Sequence, residues 1–476
     1  MARLRQYIAS QALPVDVQTA FDYHDRRGAL NRLIPPWESV SIEKSDQSLE
    51  VGSRVILKTS FSGIPLRWVA EHTEYAPPNR FCDHQLSGPF AKWQHQHTFS
   101  PASGLASSDF ASQSTLRDQI QYQLPFGWLG DTFGSGTARK TIEAMFSYRH
   151  RITHDDLQLF SQYNRQPIKV AVSGSNGLVG QALCSLLGLF GHQVHPIIRG
   201  EGASASDQTP WSSTADDQTL NGMDAVVHLA GKSIASGRWN AKLKTEIRES
   251  RVAKTRRLCE LLANRKQPPK VLICASATGI YGNRGEEVLD ENSDLGPSTS
   301  RDCGFLTDVG KEWEEACRPA VEAGIRVVHA RFGIILSAKG GALQKMLTPA
   351  KLLGGALGSG KQWWSWISLD DAIGAIYHCI QTNELEGAVN FVSPQPIQNS
   401  DFVKQLGQVL RRPAIFPAPA PFLRIMLGEM ADALLLSSAR VIPTKLMKSD
   451  YSFRFTELSE LLSYSLGRNL KHSELP

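Results

Sequence analysis

The sequence lacks the cysteine pattern of a disulfide-rich or zinc-binding protein. Its seven cysteines are an odd number, and no two of them are spaced Cys-x-x-Cys. We therefore expect buried free thiols, no metal ion and a reducing, cytoplasmic location. The cysteines are Cys82, Cys184, Cys259, Cys274, Cys303, Cys317 and Cys379.

Long apolar runs and basic clusters are missing as well. Each apolar stretch is interrupted well short of the roughly 20 residues that a membrane span needs, and the N-terminal MARLRQYIASQALPVD has no signal-peptide core. The net charge of +5 is spread along the chain without a run of five basic residues. These absences predict a soluble protein that binds neither a membrane nor a nucleic acid.

What is present divides the 476 residues into parts with different periodicity. Up to about residue 160, apolar and polar residues alternate at strand period, and one long amphipathic helix follows, which predicts an α+β domain. The predicted strands are Arg54–Phe61, Leu66–Tyr75, Lys92–Phe99 and Thr115–Leu124, and the predicted helices are Asp16–Tyr23 and Ala138–Leu159. The polar, proline-ended Ser161–Pro167 marks a domain boundary.

Beyond this boundary, short apolar strands alternate with helices, which predicts a parallel sheet covered by helices. The predicted strands are Ile168–Ser173, Gln193–Ile198, Asp224–Leu229, Val271–Ser276 and Arg326–Arg331, with a first helix at Leu178–Phe190. We predict an exposed loop at Ser204–Thr219 and a helical stretch at Phe422–Leu436. The predicted domains are residues 1–160, 168–387 and 388–476.

A glycine-rich turn directly follows the first strand of this second part. In a dinucleotide-binding turn, the first glycine permits the tight turn, the second lets the backbone approach the pyrophosphate, and the third lets helix and strand pack closely. The alternative is a tight turn without a ligand. The turn consists of Gly174, Ser175, Asn176, Gly177, Leu178, Val179 and Gly180.

Two further strand ends bear on the cofactor. The second strand ends at Arg199, where an NAD site usually carries an acidic residue, so a cation predicts pairing with the 2′-phosphate of NADP(H); the alternative is a solvated surface arginine. The third ends in small residues, across which the adenosine side of the cofactor can lie, unless this is a plain buried strand. These residues are Leu229, Ala230 and Gly231.

From Lys169 to Leu470 the chain resembles the extended short-chain dehydrogenases/reductases, in the epimerase-like branch called YfcH-type or SulA-like. The matching runs include SGSNGLVG, DAVVHLAG, SATGIYG, RVVHARFGIILSAKGGAL and RVIPTKL. The resemblance implies NADP(H) binding and places the helix that contains TEIRESR against the cofactor, which nominates Glu246 and Arg251. It also implies a backbone or packing contact from Ile335. The SulA label names a cell-division inhibitor, and no residue supports that role.

The chain departs from the wider superfamily at its catalytic pair. Members of that superfamily use a tyrosine followed four residues later by a lysine, which lowers the pKa of the phenol for proton exchange. No Tyr-x-x-x-Lys occurs in this sequence, and Lys311 in GFLTDVGKEWE has no such tyrosine. The remaining catalytic candidates are Ser276, which also lies at the cofactor, Thr278 and Tyr281. Tyr281 is either an acid or a structural residue.

Two nearby segments leave alternatives open. Gln362–Ser368 contains three tryptophans, which either pack in the core or stack on a ligand. Its last residue is Ser368, where the family pattern usually has histidine. The glycine-rich Gly354–Gly360 is expected to be a mobile loop above the cofactor.

The first domain resembles the START-like helix-grip superfamily of polyketide cyclases and lipid-binding proteins. This resemblance implies an apolar cavity for a hydrophobic ligand, with wall residues that are otherwise ordinary core: Phe61, Trp68, Phe81, Trp93 and Phe99. Because acidic residues and histidines are scattered through this part of the sequence, we expect ligand binding rather than acid–base chemistry there.

Together these patterns predict an α/β fold: a Rossmann-type parallel-sheet domain with a C-terminal α/β substrate lobe, preceded by an α+β helix-grip domain. The predicted function is that of an atypical NADP(H)-dependent reductase or epimerase acting on a small molecule. The alternative is a non-catalytic NADP(H)-binding regulator or sensor, favoured by the missing Tyr-x-x-x-Lys.

Overall fold

The computed structural model describes residues 3–61, 64–102, 113–163, 166–199, 209–211, 220–297 and 304–468. They fall into two compact units. The first comprises Met1–Gln166, Ser185–Gly191 and Ser463–Pro476, and the second comprises Pro167–Cys184 and His192–Leu462.

The first unit is a seven-stranded antiparallel sheet with a long helix packed along it. The strands lie in the order β1-β7-β6-β5-β4-β3-β2. Their bounds are β1 (Arg5–Leu13), β2 (Ser41–Ser45), β3 (Arg54–Phe61), β4 (Ile64–Ala76), β5 (Arg80–Ser87), β6 (Lys92–Pro101) and β7 (Ser114–Gln123). The helices are α1 (Val17–Asp25), α2 (Ala29–Leu33) and α3 (Gly127–Ser161). The four predicted strands and both predicted helices are present, whereas β1, β2 and β5 were not predicted.

The core of the first unit follows from strand alternation. On β6, the buried residues Trp93, His95, His97 and Phe99 alternate with more exposed ones, because successive side chains of a strand point to opposite faces. Helix α3 adds Ile142 and Phe146 to a cluster with Trp93. This helix begins eleven residues earlier than predicted. The prediction missed its first part, GWLGDTFGSGT, because the four glycines there weaken the helical signal of the sequence.

The second unit is built on a seven-stranded parallel sheet in the order β10-β9-β8-β11-β12-β14-β19. Its strands are β8 (Lys169–Ser173), β9 (Gln193–Arg199), β10 (Thr209–Trp211), β11 (Ala225–His228), β12 (Val271–Ala277), β14 (Arg326–Phe332) and β19 (Gly387–Phe391). The order reverses between β8 and β11, so the loops after these two strands flank the switch point where ligands of such sheets bind. The predicted fold class is confirmed.

Helices and small two-stranded sheets complete this unit. The helices are α4 (Leu178–Leu189), α5 (Ala241–Glu249), α6 (Val252–Ala263), α7 (Gly304–Glu315), α8 (Arg318–Glu322), α9 (Gly341–Lys351), α10 (Leu369–Gln381), α11 (Asn399–Leu410), α12 (Ala420–Leu427), α13 (Glu429–Ala431), α14 (Thr444–Lys448) and α15 (Leu458–Ser465). The last residues of α4, from Ser185, and of α15, from Ser463, are assigned to the first unit. The short strands are β13 (Val288–Leu289), β15 (Ile334–Ser337), β16 (Gly354–Leu357), β17 (Trp363–Trp364), β18 (Trp366–Ser368), β20 (Ile397–Gln398), β21 (Phe416–Ala418) and β22 (Arg440–Val441). Among the described residues, no helix is both long and apolar enough to cross a membrane.

Two predicted loops are wrong in part. Thr209–Trp211, inside the predicted loop Ser204–Thr219, forms edge strand β10 beside β9; the rest of that loop lies outside the described residues. Gly354–Leu357, expected to be mobile, is strand β16 and pairs with β21. Glycine suits this pairing because a Cβ at Gly355 would lie 3.1 Å from the Phe416 carbonyl carbon.

Candidate functional site

The glycine turn leads from β8 into α4 at the switch point, and each of its glycines has a different structural reason. Gly174 has a positive φ of 72°, and a Cβ there would lie 2.8 Å from the backbone of Leu229. At Gly180, a Cβ would lie 2.2 Å from the carbonyl oxygen of Gly174. The fold itself therefore requires glycine at both ends of the turn.

Gly177 differs from the other two. It is exposed, its φ is not positive, and a Cβ would meet a single protein atom, the Gly174 carbonyl oxygen, at 3.2 Å. The exposed Asn176 and the half-buried Leu178 flank it. Packing requires glycine here far less than at the ends of the turn. The absence of a Cβ instead leaves space beside a helix N-terminus, where phosphates bind.

The loop after β11 lies beside this turn. The Leu229 N–H donates to the Ser173 carbonyl at 3.1 Å, which holds the two strand ends together. Ala230 follows, and a Cβ at Gly231 would lie 3.4 Å from the guanidinium carbon of Arg251. The structure thus brings Leu229, Ala230 and Gly231 next to the glycine turn.

Glu246 and Arg251, nominated by the family resemblance, both hold that loop. Glu246 pairs with Lys232 at 3.2 Å, and Arg251 donates to the Lys232 carbonyl at 2.9 Å. The Arg251 guanidinium also lies over the Trp313 ring at 5.0 Å, and burial lowers its pKa to about 10. Both residues therefore shape the rim of the candidate site.

Ile335 and Arg199 lie at the same edge of the sheet. A Cβ at Gly341 would lie 3.4 Å from the Leu178 side chain and 3.7 Å from the Ile335 carbonyl oxygen. Arg199 ends β9, two residues beyond Ile197, which lies opposite Ser173. The side chain of Arg199 lies outside the described residues.

The three hydroxyl candidates differ in accessibility. Ser276 is 3% exposed and donates to Glu314 Oε1 at 2.7 Å. Tyr281 is fully buried; its hydroxyl lies 2.8 Å from Asn390 Oδ1. Thr278 is partly exposed, and its hydroxyl makes a long, 3.4 Å hydrogen bond to the Phe332 carbonyl. Of these three, the Thr278 hydroxyl is the best placed to reach a substrate.

Sequence reasoning missed the ion pair that joins two of these hydroxyls, those of Ser276 and Tyr281. Arg331, at the end of β14, donates through two nitrogens to both carboxylate oxygens of Glu314, each at 2.8 Å, and through its third to the Tyr281 hydroxyl at 2.9 Å. Burial alone would raise the pKa of Glu314, but the hydrogen bonds and charge of Arg331 hold that pKa below its ordinary value. The signal in the sequence that could have indicated this pair was Arg331, a charged residue at the carboxyl end of an apolar strand. The network favours the structural role of Tyr281.

The three tryptophans pack within the C-terminal part of the second unit. Trp364 lies against Phe402, and the Trp366 indole donates to the Gln395 carbonyl at 2.9 Å. Trp363 donates to Glu286 at 2.6 Å. Ser368 caps α10, since its hydroxyl accepts from the Asp371 N–H at 2.7 Å. These contacts favour packing over stacking on a ligand.

In the first unit, the proposed wall residues with described side chains contact one another or histidines. The Phe81 ring stacks on His97 with centroids 4.1 Å apart, and Trp68 packs edge-on against Trp93. Phe99 is 1% exposed, whereas the side chain of Phe61 lies outside the described residues. A cleft of about 400 Å³ lies between β1 and α3, and its lining mixes charged residues such as Arg5 and Glu143 with apolar ones.

Several histidines and acidic residues of this unit, although scattered in the sequence, lie together in space. Asp83, His95, His97, Asp118 and His150 converge inside it. The available signal was His95-x-His97 on a predicted strand, because residues two apart share a face.

Comparison with known proteins places the second unit. The model of the NAD dependent epimerase/dehydratase family matches residues 170–391. An epimerase family protein of Mycobacterium bovis is 38% identical over 302 residues, which cover 63% of this chain and 98% of the relative. The chain belongs to the epimerase family.

A human member of the family aligns with a similar share of this chain. The human epimerase family protein SDR39U1 is 32% identical over 301 residues, which cover 62% of this chain and 98% of the relative. The crystal structure of that human protein with NADPH matches 63% of this chain and 99% of its own, with a TM-score of 0.58 and 31% identity.

The first unit also has a known counterpart. The model for polyketide cyclase / dehydrase and lipid transport matches residues 13–146, and a domain of unknown function matches residues 418–464. A crystal structure described as a nucleoside-diphosphate sugar epimerase from Corynebacterium glutamicum covers 97% of this epimerase-family chain and 90% of its own, with a TM-score of 0.77 and 30% identity. The predicted combination of an epimerase-family domain with a polyketide-cyclase-like domain is confirmed.

Proposed function

We propose that this epimerase-family protein is an NADP(H)-binding reductase or epimerase of the YfcH-type branch that acts on a small molecule. The observation that carries the proposal is Gly177, an exposed glycine that the surrounding protein hardly constrains. It lies at the N-terminus of α4 and at the switch point of the sheet, where a pyrophosphate needs close backbone approach. The human relative was crystallised with NADPH.

The residues around the turn fit such a cofactor. Gly174–Gly180 would hold the pyrophosphate, and the loop Leu229–Gly231, which ends in two small residues, would face the adenosine side. Arg199 would pair with the 2′-phosphate. The bound nicotinamide would supply or accept hydride.

Acid–base chemistry would rest on hydroxyls rather than on a Tyr–Lys pair. Ser276 is 3% exposed and donates its hydroxyl hydrogen bond to Glu314. Thr278, two residues further along, has a partly exposed hydroxyl. In this proposal the Thr278 hydroxyl hydrogen-bonds the substrate oxygen, Ser276 stays hydrogen-bonded to the ionised Glu314, and the proton that the substrate oxygen gains or loses is exchanged with solvent.

The buried Tyr281 supports a second candidate, a non-catalytic NADP(H) sensor. The one tyrosine near the end of β12 in the described chain is engaged with Arg331 and Asn390, so it has no free proton-transfer role. A sensor needs the cofactor site but no acid.

Cofactor choice is the first test. We expect NADPH to bind about tenfold to a hundredfold more tightly than NADH, since a charge-assisted pair with Arg199 contributes roughly 1.5–3 kcal/mol. Titration calorimetry of both cofactors should show that Arg199→Ala removes the preference, while Arg117→Ala, an exposed arginine of the first unit, keeps it. Equal affinities in the wild type would contradict the role of Arg199.

Turnover separates the two candidates. NADPH oxidation is followed by absorbance with a panel of ketones, aldehydes and quinones. For an enzyme, we expect one compound class to be reduced, with Thr278→Val at least tenfold slower and exposed Thr348→Val unchanged. Tight NADPH binding without turnover across the panel would exclude a reductase of these compounds and leave the sensor and an epimerase, which consumes no net NADPH.

A further inference from the structure

The interior of the first unit contains a set of polar side chains that the proposed NADP(H) site does not use. Strand pairing places Asp83 of β5 opposite His95 of β6, and His97 of β6 opposite Asp118 of β7. His95, His97 and Asp118 are each less than 9% exposed. Three neighbouring strands thus direct two imidazoles and two carboxylates into one buried region.

Two kinds of distance occur among these groups. His95 Nε2 lies 3.0 Å from Asp118 Oδ1, which is a hydrogen bond. His95 Nδ1 lies 3.5 Å from Asp83 Oδ2, longer than the hydrogen bonds around Asp118. Two ligands about 2.0–2.1 Å from one tetrahedral zinc ion lie about 3.3 Å apart. The Asp83–His95 distance therefore suits a shared metal ion better than a direct bond.

His97 supplies a third ligand atom. One ligand atom each from Asp83, His95 and His97 can be chosen so that all three lie within 4.8 Å of one another. The His97 Nδ1 atom lies 2.7 Å from Asp118 Oδ1 but out of line for a hydrogen bond. Its ring is kept in place by stacking on Phe81.

Asp118 has the position of an outer partner. Its carboxylate accepts from His95 Nε2, and its second oxygen lies 2.5 Å from His150 Nε2. A carboxylate that accepts from one ring nitrogen of a ligating histidine fixes the ring and directs the other nitrogen toward the metal. Here the other nitrogen of His95 faces Asp83.

Charge balance supports a cation in this region. The ion-pair partners of Asp83 and Asp118 are histidines in the part of the chain that the structure describes. Buried carboxylates need a paired cation or a metal ion, and one divalent ion would balance both. The nearby Arg149 acts on both carboxylates through its charge, but its Nε donates to the Leu33 carbonyl at 3.3 Å rather than to either carboxylate.

We propose that Asp83, His95 and His97 bind one divalent transition-metal ion, with Asp118 positioning His95. Two imidazoles and a carboxylate are the protein ligands of many catalytic zinc sites and leave a coordination position open for water or a ligand. The proposal replaces the expectation of a first unit without a metal. It is independent of the NADP(H) site.

The test is a titration of the full-length, chelator-treated protein with Co²⁺, followed by competition with Zn²⁺. We expect one Co²⁺ per chain, with visible absorption bands of low-symmetry coordination that Zn²⁺ removes. His97→Gln and Asp83→Asn should each weaken binding at least a hundredfold, and Asp118→Asn about tenfold to a hundredfold. His84→Gln is the matched control, because His84 follows Asp83 on β5 and points to the opposite face of the sheet.

Folding is monitored separately by circular dichroism. If a variant does not fold, the thermal unfolding of the wild type decides: Zn²⁺ should raise the melting temperature and the chelator should lower it. Absence of Co²⁺ binding, an unchanged wild-type melting temperature, or equal weakening by His84→Gln would overturn the proposal. The cluster would then be a hydrogen-bond network of histidines and aspartates.

Discussion

At the residue scale, the second unit contrasts two glutamates two positions apart on α7. Glu314 forms a buried bidentate pair with Arg331, with side chains 13% and 6% exposed. Glu312 pairs with Arg248 at the surface, where both side chains are more than a third exposed. Removing one partner of a buried pair leaves an uncompensated charge, whereas a surface pair contributes little.

We therefore expect Glu314→Gln to lower the free energy of unfolding by about 3–5 kcal/mol at pH 7, and Glu312→Gln by about 0–1 kcal/mol. Because the folded-state pKa of Glu314 is lowered, its stabilisation is present above the ordinary pKa of about 4.3 and is lost as the pH falls through the folded pKa. Denaturation at pH 7 and below pH 4 should show the difference between variants shrinking. A constant difference would contradict the ionised pair.

At the scale of elements, the join between β8 and α4 shows how far the sequence reached. The apolar run predicted the strand, and the glycine spacing predicted the turn and the start of the helix, because glycine at each end of the turn has a local steric reason. Arg331 and Glu314 could not be paired in advance, since they lie on strand β14 and helix α7, and only the packing of that helix against the sheet brings them together. Likewise, His95-x-His97 indicated a shared face, but Asp118 joined it through strand pairing.

The steric reason for glycine at the end of this turn and the ligand-binding reason in its middle can be separated by matched substitutions. Gly180→Ala would place a Cβ 2.2 Å from the carbonyl oxygen of Gly174. We therefore expect this substitution to lower the free energy of unfolding by about 1–3 kcal/mol. Gly177→Ala meets one atom at 3.2 Å, so we expect a folded protein that binds NADPH at least tenfold more weakly. Thermal unfolding without cofactor and titration calorimetry measure the two effects. Normal NADPH affinity in Gly177→Ala would show that the glycine serves the fold alone.

At the scale of the whole molecule, the chain contains two compact units with separate cores, each with its own candidate ligand. The sequence predicted a boundary at Ser161–Pro167 because this polar segment separates a part with alternating apolar and polar residues from a part in which short apolar strands alternate with helices. The sequence did not predict that Ser463–Pro476 belongs to the first unit. There, Tyr464 packs on Tyr148 with ring centroids 5.2 Å apart. No local pattern announces a contact between residues so far apart in sequence.

Separate cores predict separate responses to ligands. A ligand that binds only folded protein stabilises it by about 2.7 kcal/mol at a hundred times its dissociation constant, which is a shift of several degrees for a domain of this size. In scanning calorimetry of the full chain, we expect NADPH to raise one unfolding transition and Zn²⁺ to raise another. Gly177→Ala should reduce only the first shift, and His97→Gln only the second. If one transition responds to both ligands, the units unfold as a single cooperative body, and cofactor binding in the second unit then stabilises the histidine cluster in the first.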